Sequence, residues 1–376
     1  MAPYLLVFVL IIALSAIMKG FVKKNNKTAC LVLIVLIFIV LTLFGGLRSI
    51  NLGYDAKMYI VNTYRILDND SSLVSIFSYY GLEKGYILLM YLAHQITPEP
   101  WLGLLFLNAL ANIGPLYFIF KNRKKYSVLV AIPAFYCTLY LFSFNTMRQC
   151  VAMSAFFIAL VMLQEKKYAK AFLLGVFGFF FHRSIAFSAI LLAYIWIYKK
   201  DKISVKTKTL YSFILMLLSI CIVLLYEPVI AMLGRAGILD TRYASYIDEG
   251  STTNLGRLNI EYSMLYLKAI TIIICYSIQR SRRISKENKE TNSPYFNALF
   301  IDFITNIVSY RLSNTDRITW YIYYPALFII MPQISVCFKK NNALTAELLA
   351  IIAVSLFMLE KLLTNQYHIV PYEAYF

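Results

Sequence analysis

The sequence predicts an all-α, polytopic integral membrane protein, and three observations carry that prediction. The chain is 60% hydrophobic and only 15% charged over 376 residues, with a mean hydropathy of +0.66, whereas a soluble domain carries about 25% charge. Its apolar residues fall in long runs separated by short basic loops. Those runs lack the alternation of a barrel strand, and in lipid every backbone polar group has to be satisfied within the element, so the runs are helices. At about 20 residues per crossing, about 11–13 transmembrane or re-entrant helices use most of the chain. The expectation is therefore one membrane-embedded domain over residues 1–376, with outer loops 48–82 and 228–260 contributing to a site.

In chain order the first span, near 3–19, ends in Lys19, Lys23 and Lys24. It lacks the basic n-region and small-residue cleavage site of a signal peptide, and is read as a retained helix. Further spans are expected near 29–47, 83–96, 101–120, 126–142, 149–164, 169–182, 184–198, 209–227, 261–279, 294–310, 317–336 and 344–362. Lysine and arginine collect at 19–27, 121–125, 166–170, 199–208, 280–289 and 339–340, and these clusters are placed inside. The parity of crossings between outer loop 48–82 and the cluster at 121 then requires that one of the two intervening runs does not cross. Run 83–96 is too short to span and is predicted to be re-entrant or interfacial. The basic clusters on either side of Phe181-His182-Arg183 share one side, so the chain doubles back at His182. Each arm is short, so that turn is expected below the outer surface, lined by protein. The six cysteines lie in or beside apolar runs with no CxxC pair, which suggests packing rather than a disulfide framework or zinc site.

The two basic residue types sort differently. Most lysines lie in the inner clusters, whereas Arg48, Arg65, Arg148, Arg183 and Arg317 lie outside or in the outer half. Lysine serves topology as a flexible point charge; the planar, permanently charged arginine fork grips phosphate or carboxylate through two hydrogen bonds. Arginines on the wrong side for topology suggest an anionic ligand. The plain alternative is that they pair with outer acids such as Asp55 and Glu83, or snorkel to headgroups.

The chemistry-bearing residues cluster in four stretches. In RSINLGYDAKMY, Arg48 ends an apolar helix, Gly53 permits a turn, and Asp55 and Tyr59 are spaced to share a helix face, with Tyr54 beside them. Asp55 as a helix N-cap is the competing reading, as it is for Glu83 at the start of the short run. In FNTMRQ, Asn145, Arg148 and Gln149 interrupt two apolar runs, and an ionisable residue at membrane depth is functional by default. His182 and Arg183 mark the third stretch, where an imidazole could take a proton from a hydroxyl nucleophile. The late loop 228–260 offers Arg242, Tyr246 and Arg257, a mixture suited to sugar rings or to an ordinary amphipathic helix, and Arg317 opens the helix RITWYIYYPALFIIMP.

In this order, GLRxxxxGYDxxxY, a short helix starting with Glu, FNxxRQ, FFxHRS, an outer RYxxY and R…YxxYP resemble the EpsG family of Wzy-like exopolysaccharide polymerases. The resemblance runs over most of the chain, and FNxxRQ followed by FxHxS is its most specific part. It implies a GT-C/Wzy-like membrane glycosyltransferase that joins oligosaccharide repeat units carried on undecaprenyl diphosphate, on the outer side of a bacterial cytoplasmic membrane. It points to Arg48, Gly53, Asp55, Tyr59, Glu83, Asn145, Arg148, Gln149, His182 and Arg317. Where the family often has a small residue between Gly and Asp, this chain has Tyr54.

The residues lead to the same place independently. An outward-facing site has no nucleotide sugar or ATP at hand, so group transfer there needs a donor activated beforehand and delivered in the lipid. No nucleotide-binding glycine loop or HExxH motif is present. No cofactor and no metal are therefore expected, and arginines neutralise the leaving diphosphate. Arg48, Arg148 and Arg317 are assigned the diphosphate, and His182 or Asp55 the acceptor hydroxyl. The expected partners are the lipid-linked oligosaccharide, the bilayer, and a flippase and chain-length regulator of the same pathway; no nucleic acid is expected. A lipid-linked oligosaccharide flippase, a polysaccharide ligase and a membrane O-acyltransferase are the competing classes.

Overall fold

A computed structural model describes residues 1–69, 77, 82–189, 192, 195, 203–235, 254–308, 316–365 and 367–376. The chain divides into two compact units. One comprises Met1–Ala186 with Phe338–Phe376, and the other Phe187–Cys337. Among the described residues there is no β-strand, and a single antiparallel bridge pairs Arg48 with Ala374.

The first unit opens with α1 (Ala2–Lys23) and α2 (Lys27–Gly46). The turn between them ends at Asn26, whose side-chain oxygen accepts from the Ala29 N–H at 2.9 Å and satisfies one of the free donors at the α2 N-terminus. A π-helical turn, Ala56–Val61, runs into α3 (Asn62–Asn69). Then follow α4 (Lys84–Ile96), α5 (Trp101–Asn122), α6 (Val128–Phe135) continued by a second π turn at Tyr136–Tyr140, α7 (Met147–Gln164) and α8 (Tyr168–Phe179). After the second unit, α13 (Ala343–Leu363) completes the first. Five of these helices, α1, α2, α5, α7 and α13, are long and apolar enough to cross a membrane, and in the second unit so is the helical stretch Thr319–Cys337. The protein is a multi-pass membrane protein.

Burial separates centre from periphery. In the apolar window of α7, 72% of residues are buried inside the protein, against 22% in α1. Apolar side chains gain little from leaving lipid for a neighbouring helix, so close backbone approach and hydrogen bonds carry the packing. In α5 the Gly114 N–H donates to Ser154 Oγ of α7 at 2.8 Å.

Contacts assign the helix ends to two sides. At one, Lys19 of α1 pairs with Glu347 of α13, Asn26 and Lys27 line a cleft with Arg123 and Lys124, and Glu165 bridges Lys121 and Lys167 at 2.6 Å each. Four basic clusters thus gather at one end, as their common sidedness required. At the other end lie Arg48, Glu83, Arg148 and the segment after α13.

Helix α4 settles the parity problem. Its first turn meets Phe180 at the α8 C-terminus through the Gly85 N–H (2.8 Å). Its far end leads to Glu99, which accepts from Tyr375 of the C-terminal segment, and to Trp101, whose ring meets Phe376 at 5.8 Å. Both ends therefore lie on the side away from the basic clusters, and α4 does not cross. Of the reversal expected at His182, the first arm is described. Helix α8 has 12 residues, about 18 Å of rise against a hydrocarbon core of about 30 Å, and is succeeded by a 3₁₀ turn at Arg183–Phe187. Most of the expected span 184–198 lies outside the described residues.

The second unit contains α9 (Val205–Arg235), α10 (Asn254–Arg280), α11 (Lys286–Val308) and α12 (Asp316–Ile330), with a 3₁₀ extension at Met331–Cys337. These helices outrun the apolar spans at 209–227, 261–279 and 294–310, because hydropathy marks the lipid-compatible part of a helix and not its hydrogen-bonded ends. Between α10, α11 and α12, Lys268 and Asp302 form an ion pair at 3.0 Å with both side chains 0% exposed. Thr319 stands 3.4 Å from the ammonium, and the Tyr323 ring lies 5.2 Å from it.

Candidate active site

Four stretches remote in sequence meet at the end of the first unit away from the basic clusters. They are the loop after α2, the turn before α7, the α8 terminus with the start of α4, and the segment after α13. Gly53 has φ +84°, and a side-chain carbon there would stand 2.4 Å from the Phe144 oxygen, so both conformation and space require glycine. Its N–H donates to the His368 oxygen (3.0 Å), while the next N–H, of Tyr54, donates to Asn145 Oδ1 (2.7 Å). Asn145 Nδ2 donates in turn to the Tyr367 oxygen (2.8 Å). Asn145 is thus a tie between three backbones.

Arg48 is 0% exposed. It donates to the carbonyls of Gly45 (2.7 Å), Phe144 (2.9 Å) and Leu52 (3.4 Å), and its guanidinium lies 4.0 Å from the Phe144 ring centre. Burial lowers its pKa to about 10, opposed by Tyr4, Tyr140, Tyr372 and Asp55, so it stays charged at neutral pH. The expectation that Arg48 flanks the ligand gives way here to another task. A fully buried guanidinium, committed to carbonyls, closes the end of α2 and fixes the turn before Arg148.

Arg148 stands in the first turn of α7, 14% exposed, with Nη1 donating to Glu83 Oε2 at 2.5 Å; Glu83 is 8% exposed. The guanidinium carbon lies 4.0 Å from the Tyr59 ring centre and 5.6 Å from that of Tyr86. Its Nε is buried with no hydrogen-bond partner among the described residues. Asp55 acts electrostatically on both Arg48 and Arg148. Neither carboxylate makes a side-chain capping bond to the helix it precedes, so the capping reading of Asp55 and of Glu83 is not what the structure shows. The plain alternative for the arginines does hold for Arg148, which pairs with an outer acid. Tyr59 belongs to the π turn, a helical irregularity frequent at functional sites.

Glu83 is delivered to this place by the contact of Gly85 with Phe180. A side-chain carbon at Gly85 would stand 2.7 Å from the Phe180 oxygen, so only glycine lets the two short helices touch. Two residues on, His182 accepts at Nδ1 from the Ser184 N–H (3.3 Å), with Ser184 Oγ 2.7 Å from the same atom. With Nδ1 accepting, the proton of the neutral imidazole is on Nε2, which makes that atom a donor.

The structure brings together Asp55, Tyr59, Glu83 and Arg148. Tyr54, Asn145, His182 and the exposed Arg183 stand in the stretches that frame them, and Gln149 is buried in the first turn of α7. Arg242 and Tyr246 lie outside the described residues. The backbones of Arg257 and Arg317 are placed in α10 and α12, and their side chains are outside the description. Tyr86 and the whole segment after α13 escaped the sequence reading. Lys268 and Asp302 escaped it too, although the rule that singled out Arg148, a charge at membrane depth, applies to both.

No curated protein and no solved structure matches the chain. The profile of the EpsG family matches residues 31–374, which takes in all four converging stretches, and the chain therefore belongs to the EpsG family.

Proposed function

We propose that this protein is a polysaccharide polymerase that joins undecaprenyl-diphosphate-linked oligosaccharide repeat units at the outer face of a bacterial cytoplasmic membrane. Family membership supports the general kind, a polysaccharide-polymerase-like membrane protein. The observation that carries the specific reading is Arg148. Its guanidinium lies over the Tyr59 ring and is paired on one nitrogen, and a second nitrogen has no partner among the described residues. Such a group is pre-oriented for a second anion, and a leaving diphosphate is one.

In the reaction, the acceptor hydroxyl oxygen attacks the anomeric carbon of the donor. The new glycosidic bond forms as the bond from that carbon to the diphosphate oxygen breaks. Asp55 takes the acceptor proton, and the lipid diphosphate leaves with its charge against Arg148. With its proton on Nε2, His182 is assigned to donate a hydrogen bond, and not its proton, to the leaving diphosphate, which leaves Asp55 as the base. Glu83 holds Arg148 in plane, and Arg48 holds the turn that carries it. The reading needs no metal or other cofactor, and it places a flippase and a chain-length regulator beside the enzyme in the pathway.

The test is to express Arg148→Lys in a deletion strain and analyse its lipid-linked glycans. Lysine keeps the charge and loses the fork, so the rate should fall about a hundredfold or more, with single repeat units accumulating on the outer leaflet. Near-normal chain length would reduce Arg148 to an anchor. Repeat units stranded on the inner leaflet would indicate a flippase.

A further inference from the structure

The segment after α13 is built into the site more firmly than a chain end needs. Asn365 turns it back, its Oδ1 accepting from the N–H groups of Ile369 (3.0 Å) and Val370 (2.9 Å) and its Nδ2 donating to the Val370 oxygen (2.7 Å). His368, inside that turn, has φ +52°, a left-handed conformation that is uncommon in residues other than glycine and persists where the surroundings fix it. The His368 oxygen receives the Gly53 N–H, itself in the left-handed region.

What this framework presents is an aromatic pair. Tyr54 is 61% exposed. Its ring meets the His368 ring edge-on at 4.2 Å, and its hydroxyl lies 2.5 Å from His368 Nε2. An exposed tyrosine normally samples several rotamers, but this one is held at its backbone by Asn145 and at its tip by histidine. A rigid ring loses little freedom when something stacks on it. One flat apolar face ringed by a hydroxyl and an imidazole, both able to donate or accept, matches a pyranose, with its C–H face and equatorial hydroxyls. The next residue is Asp55, so a sugar on this face would stand beside the carboxylate that acts on Arg148.

Resting on the polymerase reading, we propose that Tyr54 and His368 form a carbohydrate subsite that holds the acceptor saccharide, with the segment after α13 as its wall. Stacking on Tyr54 and hydrogen bonding at the hydroxyl–imidazole pair position the acceptor hydroxyl toward Asp55, while the donor diphosphate engages Arg148.

The experiment measures binding to the full-length protein in nanodiscs with two probes. One is oligosaccharide released by partial hydrolysis of the host strain's own polysaccharide, and the other is undecaprenyl diphosphate. Tyr54→Ala is expected to weaken oligosaccharide binding about tenfold or more, Tyr54→Phe and His368→Asn by less, since each keeps part of the pair. None of the three should move undecaprenyl diphosphate binding more than about twofold, whereas Arg148→Lys should weaken that probe alone. Wild-type binding of oligosaccharide that survives Tyr54→Ala within twofold overturns the subsite, as does no oligosaccharide binding by the wild type. Undecaprenyl diphosphate binding that ignores Arg148→Lys overturns the parent reading whatever the sugar does. Asparagine tolerates the left-handed backbone, so His368→Asn keeps the test valid should Tyr54→Ala not fold.

Discussion

Replacing Glu83 and Arg148 together separates their structural contribution from their chemistry. The two side chains are 8% and 14% exposed and meet at 2.5 Å. Unit charges about 4 Å apart attract by about 4 kcal/mol at an effective dielectric of about 20, and deleting one member of a buried pair costs about 3–5 kcal/mol. Asp55 also acts on Arg148, so the lower end applies and Glu83→Leu should destabilise by about 3 kcal/mol. Arg148→Met should cost a similar amount by stranding Glu83; the lost stacking on Tyr59 and Tyr86 is partly replaced by contact of a thioether with the rings. The pair Glu83→Leu with Arg148→Met strands nothing and should return to within about 1 kcal/mol of the wild type. Unfolding of the purified protein in detergent gives the four corners of the cycle, and complementation of a deletion strain gives polymer length. We expect the double variant to be stable and to make no polymer. A stable double variant that polymerises normally would refute the reasoning, because the pair would then be a strut.

Three further expectations follow from the geometry. If His182 donates from Nε2, His182→Gln, which can place a donor near that position, should retain more activity than His182→Asn in the polymer-length assay; equal loss would favour a base. In a protein freed of the exposed Cys221 and part-exposed Cys337, a cysteine at Tyr54 should react with an impermeant thiol reagent from outside and one at Lys124 should not; the reverse pattern would invert the orientation. Lys268→Met and Asp302→Leu should each destabilise by about 3–5 kcal/mol and together by far less, read by unfolding in detergent. A double variant that loses the sum of the two singles would show that the two charges do not act as a pair.

Much of this arrangement was legible because charge is conspicuous in an apolar chain. Arg148 stood out as a charge that lipid would not accept unpaired, Asp55 and Glu83 as outer acids able to pair with such an arginine, and loop charge fixed which helix ends share a side. The shortness of 83–96 and 169–182 was visible too, and it correctly denied α4 a crossing. What was hidden is carried by backbone. Three carbonyls receive the Arg48 guanidinium, and no sequence pattern distinguishes an arginine that binds carbonyls from one that awaits an anion. The stretch HIVPYEAY reads as a tail after the last span because its ties to Gly53, Ser49 and Leu47 are peptide hydrogen bonds, which any residue can make. The two π turns leave no compositional trace.

The discontinuity of the first unit imposes an order on its making. Residues 48–55 and 144–148 leave the ribosome long before 365–375, and the whole of Phe187–Cys337 is synthesised between them. Until then Gly53 N–H, Ser49 N–H and Asn145 Nδ2 lack the carbonyls of His368, Glu373 and Tyr367, and Tyr4 lacks that of Ile369. A nascent chain therefore holds an unfinished candidate site while it is still tethered. The geometry of that site closes only when α13 has been inserted and the segment behind it has folded back onto loops that were waiting since the second helix.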